Sequence, residues 1–245
     1  MSTPTSLKIY LIRHGETKWS KAGRNNGNTD IPLTNQGELD AQQVGQRLQT
    51  IKFCRILCSP LQRAMRAREL ALSGAVAEIE PDLAEWNYGD YEGQLTQAVR
   101  NIRCNWDLYR DGCPGGESIA QVAARADRLI SRLRPITGNV ALFSHSQFGS
   151  ILSMRWIGLP VSEAAHFPQE AGSVTILMYA DHQPDVPVVS RWSGEGPSFS
   201  LGIYPGSDVP KETKSAAIAR WENEGGEITS QTHVRVGRVH EVMTI

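Results

Sequence analysis

His14 and His145 are the residues best placed by pattern to do chemistry. His14 follows the apolar run Lys8-Ile-Tyr-Leu-Ile12 with only Arg13 between. His145 follows Val140-Ala-Leu-Phe143 after one serine. A neutral imidazole held in one tautomer is a nucleophile, and the charges around it select its target. Arg13 adjoins His14. Arg63 falls in the opening turn of a predicted helix, where the dipole and free N–H groups favour anions. Arginine forks match phosphate oxygens in pairs. One histidine after a strand is most often structural. Two histidines with two arginines point instead to phosphoryl transfer. The chain has no G-x-x-x-x-G-K-[ST] segment, so a P-loop nucleotide site is not supported.

The elements that must position these residues follow from periodicity. Lys8–Ile12 reads as a first strand, followed by a loop rich in Gly, Asn and Asp through Pro32. A helix begins near Thr34 or Asn35, with Glu38 placed to reach back to the cap. Its apolar stripe is Ala41, Val44, Leu48 and Ile51. Arg55-Ile-Leu-Cys58 reads as a short buried strand. Ser59-Pro60 supplies an N-cap and a first-turn proline for the next helix. Residues 80–94 have no clear period and read as loop. Ser118 and Gln121 form a capping-box pattern before a helix with Ile119, Val122, Ala126, Leu129, Ile130 and Leu133 on its buried face. Val140–Phe143 is a strand, then a helix runs to about Gly158. Val174–Tyr179 and Val186–Trp192 close the domain as strands.

Strands alternate with helices from residue 8 to about 158. That order predicts an α/β fold with a mostly parallel sheet covered on both faces. Ligands in such folds bind beyond the carboxyl ends of the strands. His14 and His145 are both predicted on that edge.

Composition bounds the function classes. The 245 residues carry 25 Lys plus Arg and 26 Asp plus Glu, a net charge of −1. That balance removes the usual electrostatic reason to expect nucleic-acid binding. No run of about 18 apolar residues predicts a membrane span. Residues 1–6 lack a basic stretch followed by an apolar one, so the expected location is the cytoplasm. Cys54, Cys58, Cys104 and Cys113 show no C-x-x-C pair, and free neutral thiols are expected. His166, His182, His233 and His240 have no metal spacing. No metal site and no cofactor is expected.

The ordered motifs resemble the histidine phosphatase superfamily, which includes the cofactor-dependent phosphoglycerate mutases. The resemblance begins at Leu11-Ile-Arg-His-Gly-Glu-Thr17 and continues through Thr29-Asp30-Ile31-Pro32-Leu33-Thr34, Ser59-Pro-Leu-Gln-Arg-Ala64 and Ala84-Glu-Trp-Asn-Tyr-Gly-Asp-Tyr-Glu-Gly93. It reaches Gly116-Glu-Ser118 and Phe143-Ser-His-Ser146, about three quarters of the chain. It implies a phosphoglycerate mutase-like three-layer sandwich with a mostly parallel sheet flanked by helices. His14 matches the nucleophile that becomes phosphohistidine. Arg13 and Arg63 match the phosphate clamp, and His145 the second histidine on the transferring phosphoryl group. Glu85 matches the proton donor to the leaving oxygen, so it must carry a proton when it acts. Asn26, Gly27 and Tyr88 match positions near phosphate or substrate.

Two departures stand beside these matches. Many relatives carry Asn where this chain has Ser20, and Gly where it has Ser146. Both serines are taken as substrate-binding candidates, and a backbone N–H from residue 146 or 147 would survive the second change. Trp86–Gly93 resembles the phosphatase members rather than the glycolytic mutases, and residues 92–115 leave little material for a lid. The reading is therefore a metal-independent phosphomonoesterase. Trp106–Ser118 is similar to sedoheptulose-1,7-bisphosphatase-like members, which implies a small phosphorylated sugar as partner. A mutase on the same site, or a weakly active relative that binds a phosphorylated ligand, are the alternatives. Arg103 and Arg110 could take a second phosphate, or be solvated or paired structurally. Residues 1–192 are read as the domain and 193–245 as a small α+β appendage. In the appendage, Thr213–Glu224 reads as helical and Thr232–Ile245 as strand or hairpin. The appendage could pack on the domain or on another subunit, which leaves a homo-oligomer open.

Overall fold

The computed structural model describes residues 6–194; the appendage expected at 193–245 lies outside them but for its first two residues. The chain runs β1 (Lys8–Arg13), α1 (Lys18–Lys21), α2 (Asn35–Leu48), β2 (Arg55–Cys58), α3 (Gln62–Ala71) and β3 (Glu78–Ile79). Two short 3₁₀ turns follow, then α4 (Thr96–Ile102), α5 (Leu108–Asp111), α6 (Ile119–Leu133), β4 (Asn139–Ser144) and α7 (Ser146–Trp156). A third 3₁₀ turn, Val161–His166, leads to β5 (Val174–Ala180) and β6 (Gln183–Gly194).

The six strands form one sheet in the order β3-β2-β4-β1-β5-β6. β1 pairs with β4, β4 with β2 and β2 with β3, all parallel. β5 and β6 add antiparallel at the far side. The central strands are apolar on both faces because helices cover both. Ile9, Leu11, Val140 and Leu142 join a core with Val122, Ala126 and Leu129 of α6 and Ile151 and Leu152 of α7. The alternate residues Tyr10, Ile12, Ala141 and Phe143 point to the opposite face. There α2 and α3 bury Ala41, Val44, Leu48, Ala64 and Ala67. The expected three-layer α/β architecture with a mostly parallel sheet is the one observed.

The register carries the functional consequence. Arg13 lies opposite Ser144, and Cys58 opposite Phe143. Parallel pairing therefore delivers His14, His145 and Ser59 to one edge from three neighbouring strands.

Several local expectations are corrected. Thr34 caps α2 by accepting from the Gly37 N–H at 3.1 Å. Glu38 stands one residue too far for a capping box and instead pairs with Arg66 at 2.7 Å. Ile51 lies beyond the end of α2. Ser59 does not cap α3, whose N-cap position is Leu61. Asp30 reaches across from the preceding loop and accepts from Gln62 N–H at 2.8 Å. The Ser118–Gln121 capping box is present as expected. Helices α1, α4 and α5 and strand β3 were not anticipated, being too short to show a period.

Candidate active site

His14 leaves β1 with its N–H on the Ser144 carbonyl at 3.2 Å. Its ring lies 5.1 Å from that of His145, centroid to centroid. Both residues are buried. His14 Nδ1 sits 2.7 Å from the Gly15 carbonyl oxygen. A carbonyl only accepts, so Nδ1 holds the proton and Nε2 keeps its lone pair. Arg63 Nε donates to that lone pair at 3.2 Å. The loop that presents Gly15 must press against the start of α2. A Cβ at Gly15 would sit 2.2 Å from the Gly37 carbonyl oxygen, so only glycine fits.

Burial pushes the His14 pKa well below its ordinary value, and Arg63 and Arg13 push it further. Burial does the same to His145, followed by Arg63 and His14. Both rings are therefore neutral at neutral pH, as a nucleophile requires. A stability effect follows. Unfolded, both histidines titrate near 6.5. Below that value the unfolded chain takes up protons that the folded site refuses, so stability falls as pH drops toward the depressed folded values. The urea midpoint should fall between about pH 7 and pH 5. A His14→Asn/His145→Asn variant should show a shallower fall over the same range.

Arg63 is fully buried. Besides His14, it donates to Thr29 O at 3.1 Å, Asn26 O at 3.2 Å and Gly27 O at 2.7 Å. The loop 26–29 thus holds the guanidinium flat against the nucleophile. Arg13 donates through Nη1 to the Gln169 carbonyl. Its Nε is buried without a protein partner. Two guanidinium groups therefore border one imidazole, with donors left for an anion.

Glu85 is buried beside the first turn of α7. Its Oε1 accepts from Trp86 N–H at 2.9 Å and Phe148 N–H at 2.8 Å. Its Oε2 accepts from Gln147 N–H at 3.1 Å. The backbone N–H of residue 147 is thus engaged by Glu85. Arg125 fixes the loop that carries Glu85. It grips Glu117 with two bonds of 2.9 Å and donates to Asp82 O at 2.8 Å and Ala84 O at 2.6 Å. Its guanidinium stacks 4.2 Å over the Phe148 ring. Glu117 in turn accepts from Asn87 N–H at 3.0 Å. Arg125 sits on the apolar face of α6, a buried charge that periodicity alone marks as misplaced. An Arg125→Met variant should lose about 3 kcal/mol, because it strands Glu117 and the carbonyls of Asp82, Ala84 and Glu85. It should also lower turnover through Glu85. Urea unfolding and steady-state kinetics would check both.

The substrate-binding candidates fare differently. The Asn26 carbonyl serves Arg63, its Nδ2 donates to Thr17 Oγ1 at 3.3 Å, and its Oδ1 is buried without a partner. Gly27 donates its N–H to Glu92 Oε1 at 2.8 Å. Tyr88 is buried, and burial, ahead of Glu85, pushes its phenol pKa well up. Ser20 forms a capping box with Thr17 at the head of α1. Ser146 donates to the Gln169 carbonyl at 3.4 Å. Arg103 and Arg110 both pair with Asp111. Residues 92–115, read as too short for a lid, carry α4 and α5. Tyr109 of α5 donates to Gln147 Oε1 and packs edge-on against Trp86 at 6.0 Å. Burial pushes the Tyr109 pKa well up, so its phenol stays a donor.

Sequence reasoning missed Arg125, Tyr109, Gln147 and Gln169, and gave Ser59 the task of a helix cap. Ser59 lies within a motif quoted above, and Arg125 interrupts the apolar face of a predicted helix; Tyr109, Gln147 and Gln169 carry no local signal. All four cysteines are free, and burial pushes Cys58 and Cys113 up to about 12. Among the described residues, no group of three or more His, Cys, Asp or Glu side chains could hold a metal. Among them also, no helix is long and apolar enough to cross a membrane.

The chain is similar to known proteins in sequence and fold. The family model described as the histidine phosphatase superfamily, branch 1, matches residues 9–191. An acid phosphatase of Mycobacterium tuberculosis is 38% identical over 173 residues, covering 69% of this chain and 85% of its own. The sedoheptulose 1,7-bisphosphatase of Saccharomyces cerevisiae is 31% identical over 199 residues, covering 68% and 73%. The solved structure of an open reading frame product from Mycobacterium tuberculosis superposes with a TM-score of 0.70 at 33% identity, covering 76% of this chain and 98% of that one.

Proposed function

Because the chain belongs to the histidine phosphatase superfamily, we propose that it hydrolyses phosphate monoesters through a phosphohistidine at His14, without a metal. One observation carries this reading. His14 Nε2 is unprotonated, because Gly15 holds the ring proton on the other side, and its lone pair accepts from Arg63 Nε.

The residues then act in two displacements. In the first, Arg63 Nε–H turns from the lone pair to a phosphoryl oxygen. The Nε2–P bond forms and the ester P–O bond breaks. Arg13, Arg63 and His145 hold the equatorial oxygens, where charge is spread in such transfers. Glu85 gives its proton to the leaving alkoxide. Oε1 already accepts two N–H groups and Oε2 one, so Oε2 has the free lone pair that carries this proton. In the second displacement water attacks phosphorus, Glu85 takes its proton, and the N–P bond breaks. Inorganic phosphate leaves and His14 regains its lone pair.

The substrate proposed is a small phosphorylated sugar. The similarity to the yeast sedoheptulose 1,7-bisphosphatase supports this class. Asn26, Gly27, Tyr88, Ser20 and Ser146 are proposed around it, and the buried, unpartnered Oδ1 of Asn26 supports a contact there. The same reading puts the enzyme in the cytoplasm, supported by its free thiols. It calls for neither nucleic acid nor membrane.

Phosphate release from a panel of sugar phosphates and phosphoglycerates, with a chelator present, tests the reading. Release from one or a few sugar phosphates is expected. Phosphoryl migration without net release would make the protein a mutase. Binding without turnover would make it a phospholigand-binding relative.

A further inference from the structure

We propose that Ser59 is a positioning residue that fixes the tautomer of His145. In that tautomer His145 donates a hydrogen bond to the transferring phosphoryl group. The proposal rests on the phosphatase reading above and deepens it. Ser59 and His145 are both fully buried. Ser59 Oγ lies 2.7 Å from His145 Nε2. The same oxygen accepts the Leu61 N–H at 3.3 Å.

The hydroxyl proton needs an acceptor, since a buried O–H left unpaired costs about 1–3 kcal/mol. Of the two groups bonded to Ser59 Oγ, Leu61 N–H is a donor. His145 Nε2 is the atom that can take the hydroxyl proton. Nε2 is then bare, and the ring proton sits on Nδ1. That nitrogen is buried without a protein partner. It lies in the ring that meets His14 edge-on, with centroids 5.1 Å apart, in the field of Arg63 and Arg13. An unpaired N–H in that position has a use once a phosphoryl oxygen arrives.

The two histidines are thus read out in opposite ways by one oxygen each. A carbonyl holds the proton on His14 Nδ1 and so bares its Nε2 for attack. A hydroxyl donates to His145 Nε2 and so turns its Nδ1 into a donor. Were His145 in the other tautomer, a lone pair would face the phosphoryl oxygens and repel them. The strand register explains why Ser59 can do this. β2 and β4 pair in parallel with Cys58 opposite Phe143, so Ser59 comes opposite Ser144, next to His145 in the chain.

The test combines nitrogen NMR with kinetics. Two-bond ¹H–¹⁵N correlations on the whole protein, labelled at histidine and assigned with His145→Asn, report which ring nitrogen is protonated. The wild type should show His145 protonated at Nδ1. Ser59→Ala should shift the proton toward Nε2 and lower kcat by about 10²-fold, with KM changed less than about 3-fold. Ser59→Thr keeps the hydroxyl and should restore both the tautomer and most of kcat. Wild-type His145 protonated at Nε2 would overturn the proposal, as would Ser59→Ala with unchanged kcat. The tautomer is read without turnover. A wild type that releases no phosphate from any ester therefore fails the phosphatase reading and not this spectroscopic result.

Discussion

His14→Ala should release no phosphate above background, a loss of at least about 10⁵-fold in kcat. The loss is this large because no other group can take over the attack. His145 is also neutral, but its Nε2 is bonded to Ser59. Water could attack directly, guided by Arg13 and Arg63, but that route retains only the electrostatic part of catalysis, roughly 10³–10⁴-fold over water. The fold should survive. The variant leaves the Gly15 carbonyl without its partner, which costs about 1–3 kcal/mol. Binding of orthophosphate should persist, because the guanidinium donors remain. Stopped assays for phosphate, with calorimetry on the variant, separate loss of the nucleophile from loss of the site.

Arg63→Lys should lower kcat/KM by about 10³-fold, although the charge is kept. The guanidinium does four things at once. It meets His14 Nε2 through Nε and the carbonyls of Thr29, Asn26 and Gly27 through its two terminal nitrogens. A lysine ammonium is a point donor on a flexible stem and cannot span these acceptors in one plane. Most of the loss should fall on kcat, since the Nε–H is released from His14 only as the phosphoryl group arrives. Stability should also drop by about 3 kcal/mol, because buried carbonyls lose their donor. Kinetics well below the melting temperature, beside urea unfolding, would separate the two effects.

The edge chemistry was legible because parallel pairing has a simple rule. A residue that follows a central strand lands beside its counterpart on the neighbouring strand. Arg13 opposite Ser144 is that rule in this molecule, and it brings His14 to His145. Arg63 was legible as a cation in a first helical turn. Its tight seat on carbonyls 26–29 was not, since backbone acceptors leave no mark in sequence. Cap chemistry was read well where donor and acceptor were local, as at Ser118 and Gln121. It was misread where the cap came from afar, as Asp30 serving α3 shows. Arg125 and Tyr109 act through contacts across 41 and 38 residues of chain, and pattern reading has no access to such distances. Ser59 was seen but given the wrong task. It sits where a cap is expected, and the histidine it serves comes from another strand.

The most direct test of the central claim is to trap the intermediate. Wild-type enzyme is mixed with a ³²P-labelled sugar phosphate that it turns over, quenched in alkali within one turnover, and digested for peptide mapping. The expected result is label on the peptide containing His14, stable to alkali and lost in acid, and absent from His14→Ala. Turnover without any protein-bound label, or label on a peptide that lacks His14, would contradict a phosphohistidine at this position.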